Sequence, residues 1–238
     1  MHQIVVREIE VDVVRKDIKN SHLAVYPPDG RVRIAVPKHL DDNAVRLMVI
    51  DKMTWIRQQQ QRFRDQERQT EREYVSGESH YFRGQRYRLD VVYAEVPPQV
   101  RIRNSNTLEL RVRTGTPIEK REEIVSEWYR QHLKAMIPPL IERWEPIVGV
   151  QVADWRVKKM KTKWGSCNIE ERRIWLNLEL AKKPVSCVEY IIVHEMVHFL
   201  ERNHNDRFKR YMDEFLPNWK QIRTELNREP LSYENWTY

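Results

Sequence analysis

The chain has 238 residues, and its 42 Lys and Arg outnumber 35 Asp and Glu to leave a formal net charge of +7. Hydrophobic residues make up 40% and charged residues 32%, with eight Trp and ten Tyr, a balance that describes a packed globular protein with a polar surface and excludes an intrinsically disordered chain. No stretch approaches the apolar run of a membrane helix and the N-terminus lacks the apolar core of a secretory leader, so a cytoplasmic protein with no membrane partner is expected.

Residues 4 to 36 read as strands. Ile4-Val5-Val6 and Val11-Asp12-Val13-Val14 are rich in β-formers, and His22 to Tyr26 and Arg31 to Val36 flank the turn Pro27-Pro28-Asp29-Gly30. Asp41 or Asp42 then caps a helix, with Val45, Met48, Val49, Met53 and Ile56 at helical spacing. From Gln58 to Glu73 the pattern turns almost wholly polar, which predicts an exposed helix running into a linker; a nucleic-acid contact is the alternative. Residues 80 to 113 return to strands, and the alternation in Val100 to Arg103 and Leu108 to Arg113 predicts a wet, arginine-rich face. Thr116-Pro117-Ile118-Glu119 has the form of a capping box opening a helix to about Ile137, which Pro138-Pro139 interrupts and Leu140 to Trp144 resume. The expected fold class is α+β, with a β-rich N-terminal region over 1–115 and a catalytic region over 116–238.

Residues 150 to 163 and 172 to 179 predict two strands around a turn at Asn168 to Glu171, an edge able to hold an extended peptide by main-chain hydrogen bonds. Five basic residues, Arg156, Lys158, Lys159, Lys161 and Lys163, lie in this stretch and would favour an anionic substrate if they faced a cleft. Cys167 and Cys187 form neither a CxxC pair nor a disulfide framework and read as small buried thiols; Ser166 and Cys167 as a nucleophile pair lack an adjacent base.

The next helix carries the most informative pattern. Pro184 precedes it, Ser186-Cys187-Val188-Glu189 has the form of a capping box, and Tyr190 to Val193 is apolar almost all round, as in a buried helix. It continues as His194-Glu195-Met196-Val197-His198. Two histidines four apart share one helix face, so both imidazoles reach one ion. Zn2+ is the natural guest, because it takes neutral nitrogen ligands and tolerates an open position. Glu195 projects beside that face, where it can act as catalytic base on a water held by the ion. Buried His and Glu are costly unless paired or metal-bound, and a metal explains them. His204 is the favoured third metal ligand beside His194 and His198, although Glu201 occupies the glycine position of the related metzincin spacing. Glu201 and, on the following helix, Glu214 compete for the role. Asn203 can end the helix, Asp206 can cap the next one, and Phe208, Tyr211, Met212 and Phe215 form an apolar stripe that reads as core. Pro217 ends that helix, and Trp219, Ile222 and Leu226 mark the last. No internal repeat is evident.

These residues resemble the YgjP-like metallopeptidase-domain family, related to the SprT and Wss1p-like zinc peptidases. The resemblance lies in Lys163-Trp164-Gly165-Ser166-Cys167, Asn177, Pro184, His194-Glu195-x-x-His198, Asn203-His204 and Phe208. It extends upstream to Val36-Pro37, Trp55-Ile56 and Gly84-Gln85-x-Tyr87. Where the family usually has Ser after its third histidine, this chain has Asn205. The resemblance implies a zincin-like core, Zn2+ on His194, His198 and His204, and Glu195 as general base. The leading expectation is a zinc metallopeptidase acting on peptide or protein, with Arg207 and Tyr211 as candidates for oxyanion donor. A nucleoside triphosphate pyrophosphatase using the same site, which the basic stretch favours, and a DNA-associated protease or binding module, which the net charge favours, are the alternatives.

Overall fold

The computed structural model describes residues 2–26, 30–65, 72–160 and 163–228; Lys161 of the basic stretch and part of the polar segment after Gln58 lie outside them. The chain forms two compact units, one within Met1–Arg68 and one within Gln69–Ser232.

In the first unit, β1 (His2–Val6), β2 (Ile9–Lys16), β3 (His22–Tyr26) and β4 (Arg31–Pro37) make one sheet in the order β1-β2-β4-β3. Alternation works as the sequence predicts: Val32, Ile34 and Val36 of β4 are buried, as are Val11 and Val13 of β2. They pack on Val45 and Val49 of α1 (Asp42–Asp51) and Met53 and Ile56 of α2 (Met53–Asp65). The Asp41 carboxylate accepts the Ala44 amide at 2.8 Å, so Asp41 is the cap.

In the second unit, β5 (Ser79–Phe82), β6 (Gln85–Tyr93), β7 (Gln99–Asn104) and β8 (Thr107–Val112) form a sheet in the order β5-β6-β8-β7. A smaller sheet has β9 (Asp154–Lys158), β10 (Gly165–Asn168) and β11 (Arg173–Asn177) in the order β10-β11-β9. Helices α3 (Ile118–Val148), α4 (Val185–Val197), α5 (Asp206–Phe215) and α6 (Trp219–Arg228), with a 3-10 turn over Leu178–Lys182, complete it. One continuous core joins Leu89, Leu108 and Leu110 of the first sheet to Leu133 and Ile137 of α3 and to Ile192 and Val193 of α4.

Contrary to the sequence reading, a repeat is present, and it is topological. Three times, two parallel strands are joined through an excursion whose strand pairs antiparallel to the second, and a helix follows. The sets are β2, β3 and β4 before α1; β6, β7 and β8 before α3; β9, β10 and β11 before α4. Val11-Asp12-Val13-Val14 and Leu89-Asp90-Val91-Val92 sit at matching places in the first two sets, the clearest trace in the residues themselves.

Other local readings are corrected. Helix α3 runs without a break through Pro138 and Pro139. The carbonyls that lose a donor there belong to Lys134 and Ala135, whose side of the helix is exposed, while Met136, Ile137, Ile141 and Trp144 hold both halves on the core. Neither capping box forms: Pro117 and Pro184 are themselves the N-caps of α3 and α4. The Glu189 carboxylate instead accepts from Arg143 at 3.0 Å and from the Trp144 indole at 2.8 Å. The arginines of β7 and β8 do more than face water, because Arg101 and Arg111 clamp the buried Glu109 at 2.8 and 2.6 Å.

Two contacts set where the smaller sheet and α4 begin. The β5–β6 turn docks through Arg83 and Gly84, whose amides donate to the Ala181 and Lys182 carbonyls at 3.0 Å. A Cβ on Gly84 would lie 2.7 Å from Pro184 Cγ, and its φ of +81° favours glycine. Asn177, at the end of β11, is buried. Its amide nitrogen donates to the Met160 and Lys163 carbonyls at 2.8 Å, and its oxygen accepts the Met160 and Glu179 amides at 3.2 Å. One side chain thereby anchors Met160 and Lys163 ahead of β10. Asn177→Ala is expected to lower stability by about 2–3 kcal/mol, since backbone groups would lose their partners while remaining in place; denaturant unfolding measures it, and a change within error would refute the anchoring role.

Candidate metal centre

Helix α4 is buried on nearly every side, from Cys187 and Val188 to Met196 and Val197. It ends at Val197, with His198 as its C-cap, so the first two histidines lie in its last turn. The chain then turns back without a glycine. The Phe199 and Leu200 amides donate to Met196 and Val197, the Asn203 amide donates to the Glu201 carboxylate at 3.1 Å, and the Asn205 amide donates to the Asn203 carbonyl. Asn205, not Asp206, caps α5 by accepting the Phe208 amide at 3.0 Å. Serine at this position would perform the same task.

This turn returns His204 to the end of α4. Ring centroids are 4.9 Å apart for His194 and His198, 4.9 Å for His194 and His204, and 4.6 Å for His198 and His204. One nitrogen from each lies within 4.8 Å of the others, and among the described residues this is the only His, Cys, Asp and Glu group able to share an ion. Neither Glu201 nor Glu214 belongs to it.

The surroundings keep these nitrogens available. His198 Nδ1 lies 3.1 Å from the Glu201 carbonyl, an acceptor, so the proton sits on Nδ1 and the Nε2 lone pair is free. The Nε2 atoms of His194 and His204 face each other at 2.9 Å. Among the described residues, His194 Nδ1 is buried without a hydrogen-bond partner. Burial pushes His194 down to about 3, with the charges of His198 and His204 adding to the effect. Burial also lowers His198 and His204. The set is therefore neutral near pH 7, the form that binds a metal. Phe208, one turn into α5, is the common floor, with its ring 4.9 Å from His194 and 4.7 Å from each of the other two. The sequence reading placed it in a core stripe; its spacing of four from His204 was the available signal of a second role.

Glu195 points from α4 toward β10. It is 4% exposed, and burial pushes its carboxyl up to about 8 against the opposing charge of Lys163 and a hydrogen bond from Cys167. Burial raises the Cys167 thiol to about 12, so Cys167 is a neutral donor here and not a nucleophile. Gly165 abuts the same carboxylate: a Cβ there would stand 2.6 Å from Glu195 Oε1 and 2.8 Å from Ile191 Cγ2. Arg207 and Tyr211 are joined to each other, the guanidinium donating to the phenol oxygen at 3.1 Å. The expected substrate edge moves as well. Strand β11 is paired on both sides, antiparallel to β10 and parallel to β9, which leaves β10 as the edge strand beside α4. In the basic stretch, Arg156 pairs with Asp154 at 3.0 Å, Lys159 pairs with Glu122 at 2.9 Å, and Lys158 Nζ lies 4.4 Å from the Trp175 ring centre.

Gly165→Ala is expected to cost about 1–3 kcal/mol of stability through overpacking, while leaving the three imidazoles able to bind metal; unchanged melting would show that Glu195 yields freely. Metal uptake at pH 6.5 should release clearly fewer than the ~1.5 protons that three ordinary imidazoles would lose. Calorimetric titration in buffers of different ionisation enthalpy counts them, in a Glu195→Gln background that removes the carboxyl proton. A full count would contradict neutral, buried ligands.

Two solved structures resemble part of the chain. One is the metallopeptidase zymogen of Pyrococcus abyssi abylysin, 22% identical, covering 39% of this chain and 97% of that one, with a TM-score of 0.35. The other is the metallopeptidase zymogen of Methanocaldococcus jannaschii jannalysin, 19% identical, covering 37% of this chain and 84% of that one, with a TM-score of 0.34. No curated protein matches the sequence. The description "YgjP-like, metallopeptidase domain" matches over residues 21–229, and the chain belongs to that family.

Proposed function

We propose that the chain is a zinc-dependent peptidase of zincin type. Its chemistry is assigned to residues 116–238, with His194, His198 and His204 as ligands and Glu195 as general base. The observation that carries this reading is the convergence of three imidazole nitrogens within 4.8 Å of one another at the end of a buried helix. Three neutral nitrogens with a fourth side open suit zinc in a catalytic role. A zinc ion held there would polarise the scissile carbonyl and lower the pKa of the attacking water toward neutrality.

The remaining work belongs to the chain. Glu195 takes the proton of the attacking water and delivers it to the leaving amine. Burial raises the proton affinity of this carboxyl, and the positive charge of a zinc ion held beside it would lower it again toward the ionised form that a general base needs. The Cys167 thiol and the bare Gly165 backbone hold that carboxylate in place. The free edge of β10 offers main-chain donors and acceptors to an extended peptide, which sets the scissile bond beside Glu195. The nucleotide and DNA alternatives drew on the basic stretch. There Arg156 and Lys159 are engaged by carboxylates and Lys158 lies against Trp175, so these three residues lend those alternatives no support.

Glu195→Gln is expected to keep its zinc and lose about 100- to 10 000-fold in turnover of unfolded protein or peptide. His204→Ala is expected to lose zinc under dialysis. Metal analysis beside a peptide-hydrolysis assay checks both. Full turnover by the glutamine variant would remove Glu195 from the mechanism, and unchanged zinc in the alanine variant would remove His204 from the ligand set.

A further inference from the structure

Four strands of the second unit stand at sheet edges: β5, β7, β9 and β10. An open edge invites pairing with another chain, and two of these are capped by side chains. The Tyr129 hydroxyl donates to the Tyr81 carbonyl of β5 at 2.8 Å, and Arg72 donates to the Ser79 carbonyl at 2.8 Å. Arg130 donates to the Val157 carbonyl of β9 at 2.8 Å. Strand β10 is the edge beside Glu195. That leaves β7, where no side chain among the described residues takes a main-chain group of residues 99–103. In the repeated topology, β7 stands to β8 and α3 as β10 stands to β11 and α4.

A groove of about 770 Å³ lies between β7 and α3. Gln99 and Val100 line one side, and Ile124, Glu127, Trp128 and Gln131 line the other. The last four are spaced three and four apart, so they share one face of α3. Trp128 packs on Phe82 at 4.7 Å, which fixes its ring. The charged groups at the rim are matched: Lys120 pairs with Glu123 at 2.7 Å and Arg130 with Glu127 at 3.2 Å. What the groove offers an occupant is therefore a main-chain edge and the apolar surface of Val100, Ile124 and Trp128.

The two faces of β7 differ. Cross-strand partners share a face, and Val100 and Ile102 pair with the buried Leu110 and Leu108. Ile102 therefore points to the inner side, yet it is 40% exposed, an apolar side chain that nothing in this sheet covers. Arg101 lies opposite Glu109 on the outer side, where Arg103 also reaches Asp90 at 3.4 Å. The outer face of β6, β7 and β8 carries Arg86, Arg88, Arg101, Arg103 and Arg111 against Asp90 and Glu109 among the described residues. A strand added to β7 alternates in the same way. One set of its side chains would cover Ile102 and the groove, and the other would stand beside Arg101 and Arg103. A second copy of this chain joined through β7 would set arginine against arginine, which disfavours that occupant.

We propose that the groove between β7 and α3 binds an extended segment of a partner protein by strand addition, with apolar side chains turned to Ile102, Ile124 and Trp128 and the intervening acidic side chains turned to Arg101 and Arg103. The register shift after Ile102 limits the regular edge to residues 99–102, so the segment engaged is short. The proposal goes beyond the peptidase reading and does not depend on it, because neither β7 nor α3 supplies a residue of the metal centre.

The test uses the full chain carrying Glu195→Gln, so that peptides survive. A short labelled peptide that alternates Val and Glu is titrated by fluorescence anisotropy beside one of the same composition with its Val and Glu in separate blocks. The alternating peptide should bind about tenfold tighter. Its binding should slow hydrogen exchange at residues 99–103. Arg103→Glu should weaken it about tenfold, and a peptide alternating Val and Lys should recover that loss on the variant. Arg86→Glu, on the same face but two strands away, should change the affinity less than about twofold. Equal affinity for the two peptides overturns the proposal. So does exchange protection at residues 165–168 in place of 99–103, or loss of binding when metal is chelated, since either would assign the peptide to the metal centre. Should Arg103→Glu fail to fold, the peptide pair and the exchange pattern decide alone. Turnover by the unsubstituted chain separates the two readings: cleavage without protection of β7 refutes only this proposal, and protection of β7 without cleavage counts only against the peptidase.

Discussion

The site depends on one close approach, between a strand that carries no side chain at residue 165 and a helix that turns a carboxylate toward it. A Cβ at Gly165 would occupy the space of Glu195 Oε1. Without it β10 closes on α4, shields Glu195 from water and raises its proton affinity. The same approach brings the Cys167 thiol into hydrogen-bonding range, so a buried acid that would otherwise be orphaned has a donor. The burial of Glu195 and its Cys167 partner both follow from a missing methyl group.

The rest of the second unit holds that approach in register. Asn177 secures the segment before β10, the β5–β6 turn abuts Pro184 at the start of α4, and Phe208 of α5 supports the three imidazoles from below. These contacts come from stretches far apart in the chain. Several are positions of the family resemblance with no chemistry visible when read singly: Gly84 and Pro184 are in contact, and Gly165 meets the glutamate of the histidine motif.

What was legible in the residues was local. Two histidines four apart in an apolar helix predict a shared ion at any location, because the spacing is a property of the helix itself. Alternation in β4 predicted its buried face for the same reason. Features that depend on distant partners were not legible. The parallel pairing of β9 with β11 requires an excursion and return, and nothing in either strand specifies it. Pro138 and Pro139 read as a break because the packing that offsets their lost hydrogen bonds lies elsewhere. Ser186 and Glu189 read as a cap because the residues fit one, but the fixed backbone of Pro184 starts the helix earlier and Glu189 finds Arg143 and Trp144 across the core.

The proposed ligand set is divided between a helix and a turn. His194 and His198 are held by α4 before any ion arrives, whereas His204 stands on a short glycine-free loop between two helix ends. Because Phe208 ties that ring to α5, occupancy of the centre and docking of α5 become linked equilibria. On the proposed reading, removing a bound metal would loosen the docking of α5 as well as halt the chemistry, so metal supply would govern how long the folded protein survives.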